Sequence, residues 1–141
     1  RPARMILDTS AILAVISDEP DAQRLVELIV ANGAPKLSAA TAVELNAVLT
    51  RRLPPEKVRL VGRLLQVWNV QIVPFDEEQA NIASRAYADF GKGSGHPAQL
   101  NLGDCFSYAL AVAASEPLLF VGSDFVHTDV ERSYVAPSSE S

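Results

Sequence analysis

Met5-Ile6-Leu7-Asp8-Thr9-Ser10-Ala11-Ile12-Leu13-Ala14 is the stretch whose reading decides the fold. Three apolar residues run directly into an acid, and an apolar segment starts again immediately behind it. Arg4 to Leu7 reads as a short buried strand and Thr9 to Ile16 as an apolar helix, so Asp8 stands at the carboxyl end of a strand. In sheets whose strands alternate with helices, ligand sites form beyond such ends.

The same alternation continues outward. Ser17-Asp18-Glu19-Pro20 is a helix-start signal with proline in the first turn. Ala22, Leu25, Val26, Ile29 and Val30 then recur at helical spacing, and Asn32-Gly33 closes that helix. Pro35 to Leu37 is a second strand. Ser38 is a good N-cap for a helix from Ala39 to about Leu53. Pro54-Pro55 stops it and begins another, through Val58, Val61, Leu64, Leu65 and Trp68. Val70 to Val73 is a third strand. Asp76 and Gln79 form a capping box for a helix to about Phe90. Gly91 to Pro97 is a loop, Gly103 to about Ser115 a helix, and Leu118 to Val121 a fourth strand, with a fifth at Ser133 to Ala136 on an edge. The fold expected is α/β with a mostly parallel sheet.

The chain has 141 residues, 48% of them hydrophobic, enough for one domain with a full core. That domain is expected over residues 5–136, with residues 1–4 ahead of a natural start at Met5 and a disordered polar tail over residues 137–141. No apolar run is long enough to span a bilayer. The single cysteine, Cys105, rules out an intrachain disulfide and fits a reducing cytoplasm. A net charge of −5 argues against a general nucleic-acid-binding surface, although a nuclease can be acidic overall if its acids hold metal.

Four acids stand at the edges of core elements: Asp8, Glu44, Asp104 and Asp124. Such groups are rarely buried without a partner, and no basic residue lies beside any of them in sequence. If they converge, a divalent cation is the simplest compensating charge, which is the chemistry of metal-dependent phosphodiester cleavage. Asp8, Asp104 and Asp124 could each cap a helix or turn instead, and Asn101 offers an alternative cap beside Asp104. Glu44 lies about six residues past Ser38, too far for a capping box, with Ala40, Ala47 and Val48 around it. Its carboxylate is expected on a small-residue face packed on the sheet. Asp129 is a fifth ligand, a cap or a supporting group.

Other chemistries fit less well. Cys105 beside a histidine could be a thiol nucleophile, but a lone cysteine in an apolar helix is ordinarily packing. His96 and His127 have no zinc-like spacing, and Gly91-Lys92-Gly93-Ser94-Gly95 follows a helix rather than a strand, unlike a dinucleotide loop.

Asp8-Thr9-Ser10-Ala11, Glu44, Leu100-Asn101-Leu102-Gly103-Asp104-Cys105 and Gly122-Ser123-Asp124-Phe125, taken in order, resemble the PIN-domain ribonucleases. The likeness is greatest to the VapC toxins of type II (VapBC) toxin–antitoxin pairs. It runs from Met5 to about Ala136. The resemblance implies a PIN-like three-layer fold with a five-stranded parallel sheet between helices. It implies that Asp8, Glu44, Asp104 and Asp124 are catalytic and bind Mg²⁺ or Mn²⁺, with Thr9 or Ser10 orienting the site. It further implies a homodimer, a cognate VapB-type antitoxin, and RNA cleavage to 5′-phosphate and 3′-hydroxyl ends. One or two cations held by the acids activate water for in-line attack and stabilise the leaving oxygen. Single-stranded or loop RNA, as in tRNA or rRNA, is the expected substrate. Lys92, Arg85, Arg51 and Arg52 are candidates for phosphate contact. A PIN nuclease outside the toxin class and an inert PIN-like RNA-binding or assembly module are the alternatives.

Overall fold

The computed structural model describes residues 4–133. Ten elements follow in chain order. They are β1 (Ile6–Leu7), α1 (Thr9–Ile16), α2 (Ala22–Asn32), β2 (Lys36–Ser38), α3 (Ala39–Arg52), α4 (Pro55–Val67), β3 (Gln71–Val73), α5 (Glu77–Phe90), α6 (Leu102–Ala114) and β4 (Leu118–Leu119). The strands form a parallel sheet in the order β3-β2-β1-β4. Four strands are therefore found where five were expected. Arg132 makes a single parallel bridge to Leu118 at the outer edge of β4, where the fifth strand would start. The remainder of that strand, Tyr134 to Ala136, lies outside the described residues, as do residues 1–3 and the tail.

Neighbouring residues on a strand serve opposite faces of the sheet. Leu7, Leu37 and Leu119 join a core with Ala11, Ile12, Leu25, Ile29, Leu45, Leu49 and Trp68, beneath α1 to α4. Ile6, Leu118 and Phe120 join another with Ala83, Leu100, Cys105, Tyr108 and Phe125, beneath α5 and α6. The sheet is thus covered on both sides around β1 and β4, giving three layers, and those two strands are wholly apolar and buried, whereas the edge strand β3 is largely exposed.

Local signals mostly resolve as read. Gly33 closes α2 in the left-handed region, at φ 89°. Ser38 caps α3 by accepting from the Ala40 N–H, and Pro55 opens α4. Two signals resolve differently. Ser17 to Pro20 does not start α2. Ser17 and Asp18 instead end α1, Asp18 turning to φ 53°, and α2 begins only at Ala22. Asp76 accepts from the Gln79 N–H, but the Gln79 side chain donates to the Pro74 carbonyl, so the capping box is half made. Gln79 is buried, and its amide is drawn under the end of β3.

The chain winds from β1 to β2 to β3 in one direction and then crosses to place β4 on the other side of β1. The order reverses between β1 and β4, and the crevice outside their carboxyl ends is where such sheets hold ligands. Burial on both faces has a direct consequence. Ile6→Ala and Leu7→Ala should each cost about 2–5 kcal/mol in chemical denaturation, although the two side chains point in opposite directions. A near-silent substitution at either position would mean that one face of the sheet is not closed.

Candidate active site

Asp8 leaves β1 and becomes the N-cap of α1. Its backbone N–H donates to the Leu119 carbonyl at 3.0 Å, and its Oδ2 accepts from the Ser10 N–H at 3.0 Å. Ser10 Oγ in turn accepts from the Val121 N–H at 3.0 Å, so the segment after β4 is tied to the start of α1. The capping interpretation of Asp8 is therefore correct for one oxygen. The other, Oδ1, is buried and makes no hydrogen bond.

Asp104 repeats this arrangement. Asn101 caps α6 by accepting from the Asp104 N–H at 2.8 Å, while Asp104 Oδ2 accepts from the Asn101 N–H at 3.0 Å. One oxygen of Asp104 again belongs to the fold, and the carboxylate stays only 8% exposed. Glu44 departs from expectation. The core face of α3 is Thr41, Leu45 and Leu49, so Glu44 is half-buried at its border instead of lying on the sheet. There Oε1 accepts from the Thr9 hydroxyl at 2.8 Å. Asp124 is exposed, in the turn after β4.

These four acids, from four different parts of the chain, line one cleft of about 200 Å³ at the switch point, together with Thr9, Ser10, Leu13, Val48, Arg52 and Asn101. Their crowding shows in their acidity. Burial raises the pKa of Asp8, partly offset by the nearby Ser10 and Ser107 hydroxyls and the Ser10 N–H, with repulsion from Asp124 adding to the rise. Burial raises Glu44 likewise, against the hydrogen bond from Thr9. Asp104 is pushed up to about 7 by burial and by its neighbours Asp8 and Asp124, despite the Asn101 N–H.

The cleft acids supply only oxygen donors, a set suited to a hard divalent cation and unsuited to zinc or copper. Asp8 Oδ1, buried and unpartnered, fits such an ion. Among the described residues, no group of three or more His, Cys, Asp or Glu side chains is placed to hold a metal ion. It is the chemical type of the cleft acids, together with the unpartnered Asp8 Oδ1, that fits such a cation.

The remaining candidates separate. Asp129 is not in the cleft. It accepts from the Tyr108 hydroxyl at 2.6 Å and lines a cavity with Arg85 and Asp89 between α5 and α6. Lys92 is exposed in the Gly91–Pro97 loop, away from the cleft lining, and His96 folds back to accept from the Ala98 N–H. Of the proposed phosphate contacts, Arg52 lines the cleft. Cys105 is fully buried, and burial pushes its thiol up to about 11, which disfavours a thiolate nucleophile. Sequence reasoning missed Thr41 and Ser107, two fully buried hydroxyls 3.2 Å apart beneath the acids. Their signal was spacing: Thr41 is three residues before Glu44 and Ser107 three after Asp104, each one helical turn from a cleft acid.

Comparison with known proteins bears on the family and the fold. The PIN domain family matches residues 5–131. Ribonuclease VapC42 of Mycobacterium tuberculosis is 52% identical over 126 residues, 89% of this chain and 96% of the relative. Ribonuclease VapC28 of the same organism is 47% identical over 128 residues, 91% and 96% of the two chains. Among solved structures, VapBC2 from Rickettsia felis, bound to a promoter DNA fragment, superposes with a TM-score of 0.71 at 16% identity, over 91% of this chain and 95% of that one. Mycobacterium tuberculosis VapC20, described as a sarcin-ricin loop cleaving toxin, superposes with a TM-score of 0.70 at 14% identity, over 94% and 99%. Sequence and fold lead to one assignment: the chain belongs to the PIN-domain family, among its VapC ribonucleases.

Proposed function

We propose that this chain is the toxin of a type II toxin–antitoxin pair and that Asp8, Glu44, Asp104 and Asp124 form the catalytic centre of a Mg²⁺- or Mn²⁺-dependent endoribonuclease. One observation carries the reading. Acids from four separate parts of the chain line a single cleft at the switch point, and one of their oxygens is buried without a partner. When bound, the cation acidifies water and stabilises the leaving oxygen. The chain's own residues do the rest. Asp8 and Asp104, each anchored through one oxygen to a helix start, present the other from a fixed direction. Thr9 orients Glu44, and Ser10 fastens the turn that carries Asp124. Leu13 and Val48 supply the apolar part of the cleft lining, and Arg52, also in the lining, would contact a substrate phosphate. The substrate is RNA, in loops such as those of tRNA or rRNA, where strand and bases are accessible to a narrow cleft. The products carry 5′-phosphate and 3′-hydroxyl ends.

The purified protein should cleave RNA with Mg²⁺ or Mn²⁺ and lose all cleavage in chelator. Asp8→Asn and Asp104→Asn should each reduce the rate about 100-fold or more while circular dichroism stays native, because one donor charge goes and the cap geometry survives. Cleavage near the wild-type rate by either variant would remove that residue from the centre.

A pH experiment follows from the raised pKa values. The Asp104 carboxyl titrates near 3.8 when unfolded and near 7 when folded, and Asp8 and Glu44 shift in the same direction. Protonation therefore favours the fold. For Asp104 that contribution is complete below the unfolded value, declines as pH rises, and is lost above about 7. Metal-free Asp104→Asn should be more stable than metal-free wild type at pH 8, by about 0.5–2 kcal/mol, with the gap closing on acidification. Added Mn²⁺ should raise the wild-type melting temperature more than the variant's. A variant less stable than wild type at pH 8, with an unchanged metal response, would make Asp104 purely a cap.

The partners belong to the same reading. A VapB-type antitoxin inhibits by placing an Arg or Lys among the cleft acids, where uncompensated negative charge attracts it. The protein pairs with itself through the apolar residues exposed beside the cleft, Val43 on α3 and Leu102 on α6. A structure of the toxin–antitoxin complex checks both. A fully inhibited complex with no cationic side chain in the cleft, or with Val43 and Leu102 facing solvent, contradicts the respective half.

A further inference from the structure

Gly103 occupies the first turn of α6, and its backbone is not in the left-handed region that Gly33, Gly93, Gly95 and Gly122 occupy. Conformational freedom does not explain it, and inside a helix glycine is a poorer choice than alanine. Space does explain it. A Cβ at Gly103 would overlap Glu44 Oε2 and the Glu44 carboxyl carbon, and would stand 2.7 Å from Oε1, well inside van der Waals contact. That same Oε1 accepts the Thr9 hydroxyl at 2.8 Å. The Glu44 carboxylate is thus seated between a bare Cα on α6 and a hydroxyl on α1.

We propose that Gly103 is a positioning residue whose missing side chain makes the seat from which Glu44 reaches the cleft beside Asp104. The inference rests on the metal-centre reading above and adds a residue that touches neither metal nor substrate. A methyl group at this position meets the far end of a flexible side chain, and no backbone atom is among its nearest contacts. Glu44 therefore swings out, α6 stays in place, and the cleft loses one of its four acids without any change in charge.

The test is a cycle of four proteins: wild type, Gly103→Ala, Glu44→Ala and the double variant. Mn²⁺ binding is followed by the electron-paramagnetic signal of the free ion, and metal-free stability by thermal melts. Gly103→Ala should weaken Mn²⁺ binding about tenfold, the usual scale for groups that orient a ligand. Added to Glu44→Ala, the same change should leave Mn²⁺ affinity untouched and raise the melting temperature, because the clash is gone and only the better helix former remains. Glu44→Asp combined with Gly103→Ala should recover part of the lost affinity, since the shorter acid clears the methyl group. Wild-type affinity in Gly103→Ala, or an equal loss in the Glu44→Ala background, overturns the proposal. If Gly103→Ala alone does not fold, the double variant decides: a melting temperature at or above that of Glu44→Ala supports the seat, and a second unfolded protein overturns it. If wild type binds no Mn²⁺, the metal-centre reading fails. The melts then judge the seat alone, a non-additive cycle supporting it and an additive one overturning it.

Discussion

One carboxylate divided between two tasks organises this molecule. Asp8 uses Oδ2 to close the first turn of α1 and keeps Oδ1 buried without a hydrogen bond. A buried acceptor without a donor opposes folding, and a buried ionised one does so more strongly. The fold tolerates it because the surrounding layers are closed: Leu7 and Leu119 on one side and Ile6, Leu118 and Phe120 on the other hold the ends of β1 and β4 together. Burial and like charge raise Asp8, Glu44 and Asp104 in the same direction, so the cleft stores destabilisation that the proposed cation would relieve.

Hydroxyls and a missing side chain counterbalance the acids where basic side chains do not. Thr9 reaches Glu44, Ser10 fastens the turn carrying Asp124, and Ser107 and Thr41 lie buried beneath. A hydroxyl supports a carboxylate without neutralising it, which leaves the acid's charge available to a cation. Arg52 contributes positive charge at the rim, from the last turn of α3, where a cation also complements the helix dipole. Lys36, by contrast, pairs with Glu116 near the start of β2, at the opposite end of the sheet from the cleft. One end of the sheet is neutralised and the other is left negative.

Capping a helix and lining the cleft turn out to be compatible for these acids. Asp104 is half of a reciprocal capping box and also lines the cleft. A helix N-terminus presents free N–H groups that hold a carboxylate in place, and a carboxylate held by one oxygen has the other to offer. Placing helix starts at the carboxyl ends of parallel strands brings such half-used acids together at the switch point.

Much of this was legible in the chain itself, because it depends on neighbours in sequence. The apolar run ending at Asp8, Ser38 before α3, Gly33 after α2 and Pro54-Pro55 between α3 and α4 each set a local geometry that holds in any surroundings. The four acids stood out for the same reason: each interrupts an apolar element. What depends on distant contacts was not legible. Asp129 stood open as a fifth ligand, a cap or a supporting group until Tyr108 claimed it, and Glu44 looked like a sheet-facing acid until Thr9 and Gly103 received it at the border of α3. Sequence by itself determined the order of elements and which acids were candidates for one cleft, since periodicity and residue identity decide those. Only the tertiary structure decided which oxygen of each acid is free and why one glycine must be a glycine. Those answers depend on atoms that long chain separations bring within a few ångströms of one another.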